Sequence, residues 1–120
     1  MTPQQKKSSL ADVYLRFLHA TKAIDSHPSA PAIDANEEAL LNALAVHWHS
    51  GKPLAVREAM TLDTLGSPST LHRRISRLKA LGLLDDKSSP GNLRIKLLVP
   101  SNRALTFFEK RGAALNKTVK

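Results

Sequence analysis

The sequence contains no cysteine. That absence excludes disulfides, thiol nucleophiles and zinc-cysteine sites, and it suits the reducing cytoplasm in which the protein is expected. Aromatic residues make up only 4% of the 120 positions. A core without them must be aliphatic, here mostly Leu and Ala, which favours helices packed on helices over a β-sandwich. No apolar run approaches the length of a membrane span, so no membrane partner is expected. Residues 1–8 are polar and are expected to fray, and the cations of Met1 to Lys7 are not followed by an apolar segment, so no signal peptide is expected. A Gly-rich phosphate loop is missing, and so is any strained nucleophile turn, so neither an enzyme nor a cofactor is expected. His47-Trp48-His49 is the one pattern that invites a metal. Two histidines two residues apart on a helix face different directions, however, and no acid pair completes a site, so no metal is expected.

What the chain has is positive charge, unevenly spread. The net charge is +8. Residues 34–65 hold two cations against five acids, net −3. Residues 67–96 hold Arg73, Arg74, Arg77, Lys79, Lys87, Arg94 and Lys96 against Asp85 and Asp86, net +5. A basic face of this kind concentrates nucleic acid in a salt-sensitive way. At 42% hydrophobic residues, the chain is also apolar enough to fold as one small domain.

Apolar spacing of three and four predicts a helix from Ser9 to about Ile24, on Leu10, Val13, Tyr14, Phe17, Leu18 and Thr21. Two prolines make Asp25 to Ile33 a loop. Asp34 followed by Glu37 reads as a capping box with Ile33 as a staple, and Leu40, Leu41, Leu44, Ala45 and Trp48 form the apolar face of the helix, which Gly51 ends. Glu37-Glu38 is read as charge complementing the helix dipole. A short helix is expected from Leu54 to Met60 and a turn from Leu62 to Gly66. Ser67 caps a further helix, with Pro68 at its first position and Gly82 as its stop. Two strands follow, Leu83–Lys87 and Leu93–Val99, reversing at Pro90-Gly91. Ser101 opens a last helix to about Leu115, with Gly112 as a weak point.

The helix spanning residues 67–81 separates core from contact. At about 100° per residue, Ile75, Leu78 and Gly82 fall within about 40° of Leu71 and form a buried stripe. Arg73 lies opposite, with Ser69, Ser76 and Ala80, while Thr70 and Arg77 lie beside that face and His72 and Arg74 flank it. Arginine reads guanine edges bidentately, hydroxyls bond bases or phosphates, and a helix start favours a phosphate. Ser69, Thr70 and Arg73 are therefore expected to approach bases, and Ser67, Arg74 and Arg77 to position the backbone. In the wing, residues 87–96, Leu93, Ile95 and Leu97 are expected to pack on the helices, so that Arg94 and Lys96 point outward, with Lys87 at the tip. Arg94 suits an AT-rich minor groove, although charge on an edge strand also blunts aggregation.

Three compact helices followed by a hairpin are the parts of a mainly α winged helix-turn-helix with flanking terminal helices. Residues 37 to 106 resemble the winged-helix regulators of the multiple-antibiotic-resistance (MarR) type. The resemblance rests on Ala35 to Leu41, on Leu54 to Ala59, on Ser67-Pro68-Ser69-Thr70-Leu71-His72-Arg73-Arg74-Ile75-Ser76-Arg77-Leu78, on Leu81-Gly82-Leu83-Leu84 and on Leu97 to Ser101. It implies a transcriptional regulator that binds double-stranded DNA. The chain departs from that pattern in having room for one closing helix where such regulators have a long pair. Residues 34–100 are expected to form the DNA-binding domain, with 1–33 and 101–120 as flanking helices for a homodimer. The alternatives are a protein-interaction or assembly module and a non-specific architectural or replication-accessory DNA binder. No feature of the sequence bears on a small-molecule effector.

Overall fold

The computed structural model of the chain describes residues 9–119. The expectations of a frayed terminus and of no leader over residues 1–8 lie outside the described residues. The elements are α1 (Ser9–Asp25), α2 (Ala35–His49), α3 (Val56–Ala59), a 3-10 turn (Asp63–Leu65), α4 (Pro68–Ala80), β1 (Leu84–Ser89), β2 (Asn92–Pro100) and α5 (Asn102–Thr118). They form two compact units, Ala32–Leu105 on the one hand and, on the other, the residues up to Pro31 together with those from Thr106.

The unit Ala32–Leu105 owes its core to three helix faces and the base of a hairpin. Leu40, Leu41 and Leu44 of α2, Leu71, Ile75 and Leu78 of α4, and Leu83 and Leu98 at the hairpin base are all essentially inaccessible to solvent. Each such side chain contributes about 1.5–3 kcal/mol relative to exposure. The capping box that starts α2 is complete: Glu37 N–H donates to Asp34 Oδ1 (2.7 Å) and Asp34 N–H donates to Glu37 Oε1 (2.9 Å). At the end of α4, Gly82 N–H bonds Lys79 O and Leu83 N–H bonds Leu78 O, both at 2.9 Å. This double closure needs a left-handed residue, which Gly82 supplies at φ 74°. Gly82 is thus an exposed stop residue and not part of the buried stripe.

Three expectations are corrected here. The third helix spans only Val56–Ala59, because Leu54 and Ala55 are extended and pair with the hairpin: Leu98 N–H donates to Leu54 O (2.8 Å), and Ala55 bridges Leu97. The last helix runs on through Gly112 to Thr118. In the wing, Leu93 and Ile95 do not pack on the helices but are 72% and 42% exposed, and the buried residues of β2 are Leu98 and Pro100. The pairing explains why. β1 and β2 run antiparallel in register from Leu84↔Pro100 to Ser88↔Lys96, and the next pair is Ser89↔Asn92. Leu93, Arg94 and Ile95 have no opposite residues in β1, so this stretch bulges out past the packed base.

In the other unit, Thr21, Phe107, Ala114 and Thr118 are buried. Arg111 Nη2 bonds the Asp25 carboxylate (2.9 and 3.1 Å), and its guanidinium lies 4.6 Å from the centre of the Phe107 ring. Leu10, Tyr14, Leu15 and Leu18 of α1 remain exposed, as do Leu115 and Val119. Among the described residues no helix is long and apolar enough to cross a membrane.

Candidate nucleic-acid interface

α4 is preceded by a glycine in a backbone conformation that other residues rarely adopt. Gly66 has φ 143°, and a Cβ there would meet Thr70 Cγ2 at 3.3 Å and Arg74 Nη1 at 3.4 Å. Ser67 then caps the helix. Its Oγ accepts from Thr70 N–H (3.4 Å) and donates to Thr70 Oγ1 (3.1 Å), with Ser69 Oγ also 3.4 Å away. The three hydroxyls expected at the helix start are therefore brought together. Ser67 and Ser69 are exposed and Thr70 is half-buried. Leu71, Ile75 and Leu78 face inward, while Ser69, His72, Arg73, Ser76 and Ala80 face solvent.

The cations of this unit fall into two groups. One group is tied to the protein itself. Arg74 Nη1 donates to Leu65 O (2.9 Å) and so fastens the 3-10 turn to α4. Arg77 ion-pairs with Glu37 through Nε and donates to Ala32 O through Nη2 (3.3 Å). Lys79 ion-pairs with Asp86 (2.8 Å), and Arg103 Nη1 donates to Leu81 O (2.6 Å). Lys96 Nζ donates to Ser88 Oγ (2.8 Å). In the second group, Lys52, Arg57, Arg73, Lys87 and Arg94 are exposed, and their side chains make no hydrogen bond or ion pair among the described residues.

Of the nine residues expected to meet DNA, Ser67, Ser69, Thr70 and Arg73 thus share the exposed start of α4. Arg74 and Arg77 hold that helix in place as well as flanking it. The three wing cations are not equivalent. The register puts Lys96 beside Ser88 on the hairpin face that carries Asp86 and Leu98, and Asp86 meets Lys79 of α4. Lys87 lies opposite Leu97, on the other face. Arg94 sits in the bulge, where its N–H bonds Asn92 Oδ1 (3.0 Å).

Two residues that shape this surface were not singled out in the sequence. Arg103 caps the carbonyl end of α4 from the first turn of α5. Arg57 stands on α3 near the wing. The first was hidden because its partner is a backbone oxygen 22 residues away; the second sits in a segment whose net charge is negative.

No protein-family model matches the chain, and no curated protein matches its sequence. Solved structures do resemble it. MepR of S. aureus, bound to ethidium bromide, superposes with a TM-score of 0.70 at 11% identity, over 97% of this chain and 80% of that one. The transcriptional regulator Tm0710 of Thermotoga maritima gives 0.56 at 18% identity, over 89% and 67%. BpsR of Bordetella bronchiseptica, whose DNA binding is regulated by 6-hydroxynicotinic acid, gives 0.52 at 17% identity, over 92% and 73%. The chain has the winged helix-turn-helix fold of the MarR type.

Proposed function

We propose that this chain is a transcriptional regulator that binds double-stranded DNA as a homodimer, with α4 in the major groove and the wing on the backbone or minor groove. One observation carries the reading: Arg73, the residue directly opposite the buried stripe of α4, is exposed and unpaired among the described residues, beside the clustered hydroxyls of Ser67, Ser69 and Thr70. A guanidinium presented this way is available to a guanine edge, and the hydroxyls and free N–H groups at the helix start are available to a phosphate. The solved structures of like fold add support, since two are described as a transcriptional regulator and a DNA-binding protein. A two-fold dimer would place two such helices about one turn of DNA apart. The role is one of binding rather than catalysis.

Selection from a random pool of duplex DNA at near-physiological salt tests the reading. Wild type should enrich a motif with two related half-sites, and Arg73→Ala should lose it. Salt-sensitive binding without any enriched motif would instead favour a non-specific architectural binder.

A further inference from the structure

We infer that the cleft between α3 and the wing is a second anchoring site, a seat for a backbone phosphate of the same duplex, with Arg57 as its principal donor. The inference rests on the DNA-binding reading above and adds a residue and a surface to it. The β-bridge from Ala55 to Leu97 and the bond from Leu98 N–H to Leu54 O lay the start of α3 along the outer edge of β2. They leave a cleft of about 640 Å3 whose lining includes Arg57, Arg94 and Lys96. The one acid in that lining is Glu58, and its Oε1 already accepts from Ala55 N–H (2.9 Å).

The three cations are held there by separate devices. Arg57 is carried by α3. Arg94 is carried by the bulge that Asn92 Oδ1 pins, and Lys96 is braced by Ser88 Oγ. Three positive groups around one cleft repel each other in the free protein, and an anion entering it relieves that repulsion. Guanidinium forks match the tetrahedral oxygens of a phosphate, and the remaining lining (Ala55, Val56, Ile95 and Leu97 among it) offers no competing carboxylate. The hairpin face bearing Lys96 is also the face that meets α4 through Asp86 and Lys79. The proposal sets the strand that flanks the major groove occupied by α4 along this side of the wing.

The test uses the full chain and a labelled duplex of random sequence, with binding followed by fluorescence anisotropy between about 50 and 200 mM salt. Each phosphate contact contributes about 0.9 to the slope of log affinity against log salt. Arg57→Ala should flatten the slope by about that much, and Arg57→Lys should restore it. Lys22→Ala, which removes an exposed cation of α1, should leave it unchanged. Thermal melting of all three variants should match wild type. An unchanged slope for Arg57→Ala overturns the seat, and so does an equal loss for Lys22→Ala. Neither result touches the regulator reading, which stands or falls on motif enrichment. A wild type that binds no duplex overturns both.

Discussion

Arg77 and Glu37 form an ion pair in which only the acid is buried: the Glu37 side chain is 6% exposed and the Arg77 side chain 53%. Glu37 has two duties. One oxygen accepts the Asp34 N–H in the capping box, and the other meets Arg77 of α4. The start of α2 and the exposed helix are thereby fastened through a single carboxylate. Removing the arginine strands a buried charge, whereas removing the acid leaves an arginine that water can solvate.

A double-mutant cycle should show this asymmetry. Arg77→Met is expected to destabilise the fold by about 1–2 kcal/mol, a figure reduced for the exposure of the arginine. Adding Glu37→Gln to Arg77→Met should recover part of that loss, because Gln keeps the bond to Asp34 N–H and carries no charge. Urea unfolding of the four proteins measures it. A double variant less stable than Arg77→Met alone would count against the stranded-charge account.

Arginines one residue apart on α4 should behave differently. Arg73→Ala should leave the melting temperature unchanged, as nothing among the described residues holds its side chain, and should cost about 1–3 kcal/mol of discrimination at one base position. Arg74→Ala should lower stability by about 1–2 kcal/mol through the lost bond to Leu65 O. Calorimetry and competition binding on the same samples separate the two.

Much of this was legible in the sequence because local rules and burial agree. The capping box at Asp34 and Glu37, the Ser67-Pro68 start and the Leu71, Ile75 and Leu78 stripe each need only residues within a turn or two. Long-range partners were not legible. Nothing near Arg77 in sequence says that its guanidinium will find a carboxylate 40 positions earlier. The wing failed for a related reason. Alternation assigns inner and outer faces only while a strand is paired and has something beneath it, and the pairing of β2 breaks between Asn92 and Lys96. The short α3 was overestimated because Leu54 bonds β2 through its carbonyl and Ala55, bridged to Leu97, is the residue that caps the helix.

Gly66→Ala should destabilise the protein by about 1–3 kcal/mol. A side chain at φ 143° is strained, and the added methyl would press on Thr70 Cγ2. The same change should weaken DNA binding, since Thr70 and Arg74 are the atoms displaced. Chemical denaturation and anisotropy check the two effects. A fully stable variant would show that the turn relaxes.

Ser101 ties the start of α5 to the end of α4. Its Oγ accepts from Ala104 N–H (3.1 Å) and donates to Gly82 O (2.5 Å), and the residue is 6% exposed. Ser101→Ala loses a helix cap and the part-buried bond to Gly82 O, which together should cost about 1–2 kcal/mol. Ser101→Thr keeps the hydroxyl and should recover most of it. Thermal unfolding of the pair distinguishes loss of the hydroxyl from loss of space.

The exposed apolar residues of α1 supply the test of the dimer. Leu10, Tyr14 and Leu18 recur at intervals of four, forming one stripe, and they are 80%, 58% and 38% exposed. A stripe of this kind is what the proposed homodimer would bury across its two-fold axis. Wild type should sediment as a dimer at micromolar concentration. Leu10→Glu combined with Leu18→Glu should give a monomer with unchanged helical circular dichroism, because neither side chain is part of a core. That monomer should bind a single half-site as before and lose the added affinity of a paired site, since the second half-site contact is no longer intramolecular. Wild type sedimenting as a monomer at these concentrations would remove the two-fold arrangement, and the expectation of paired half-sites would go with it.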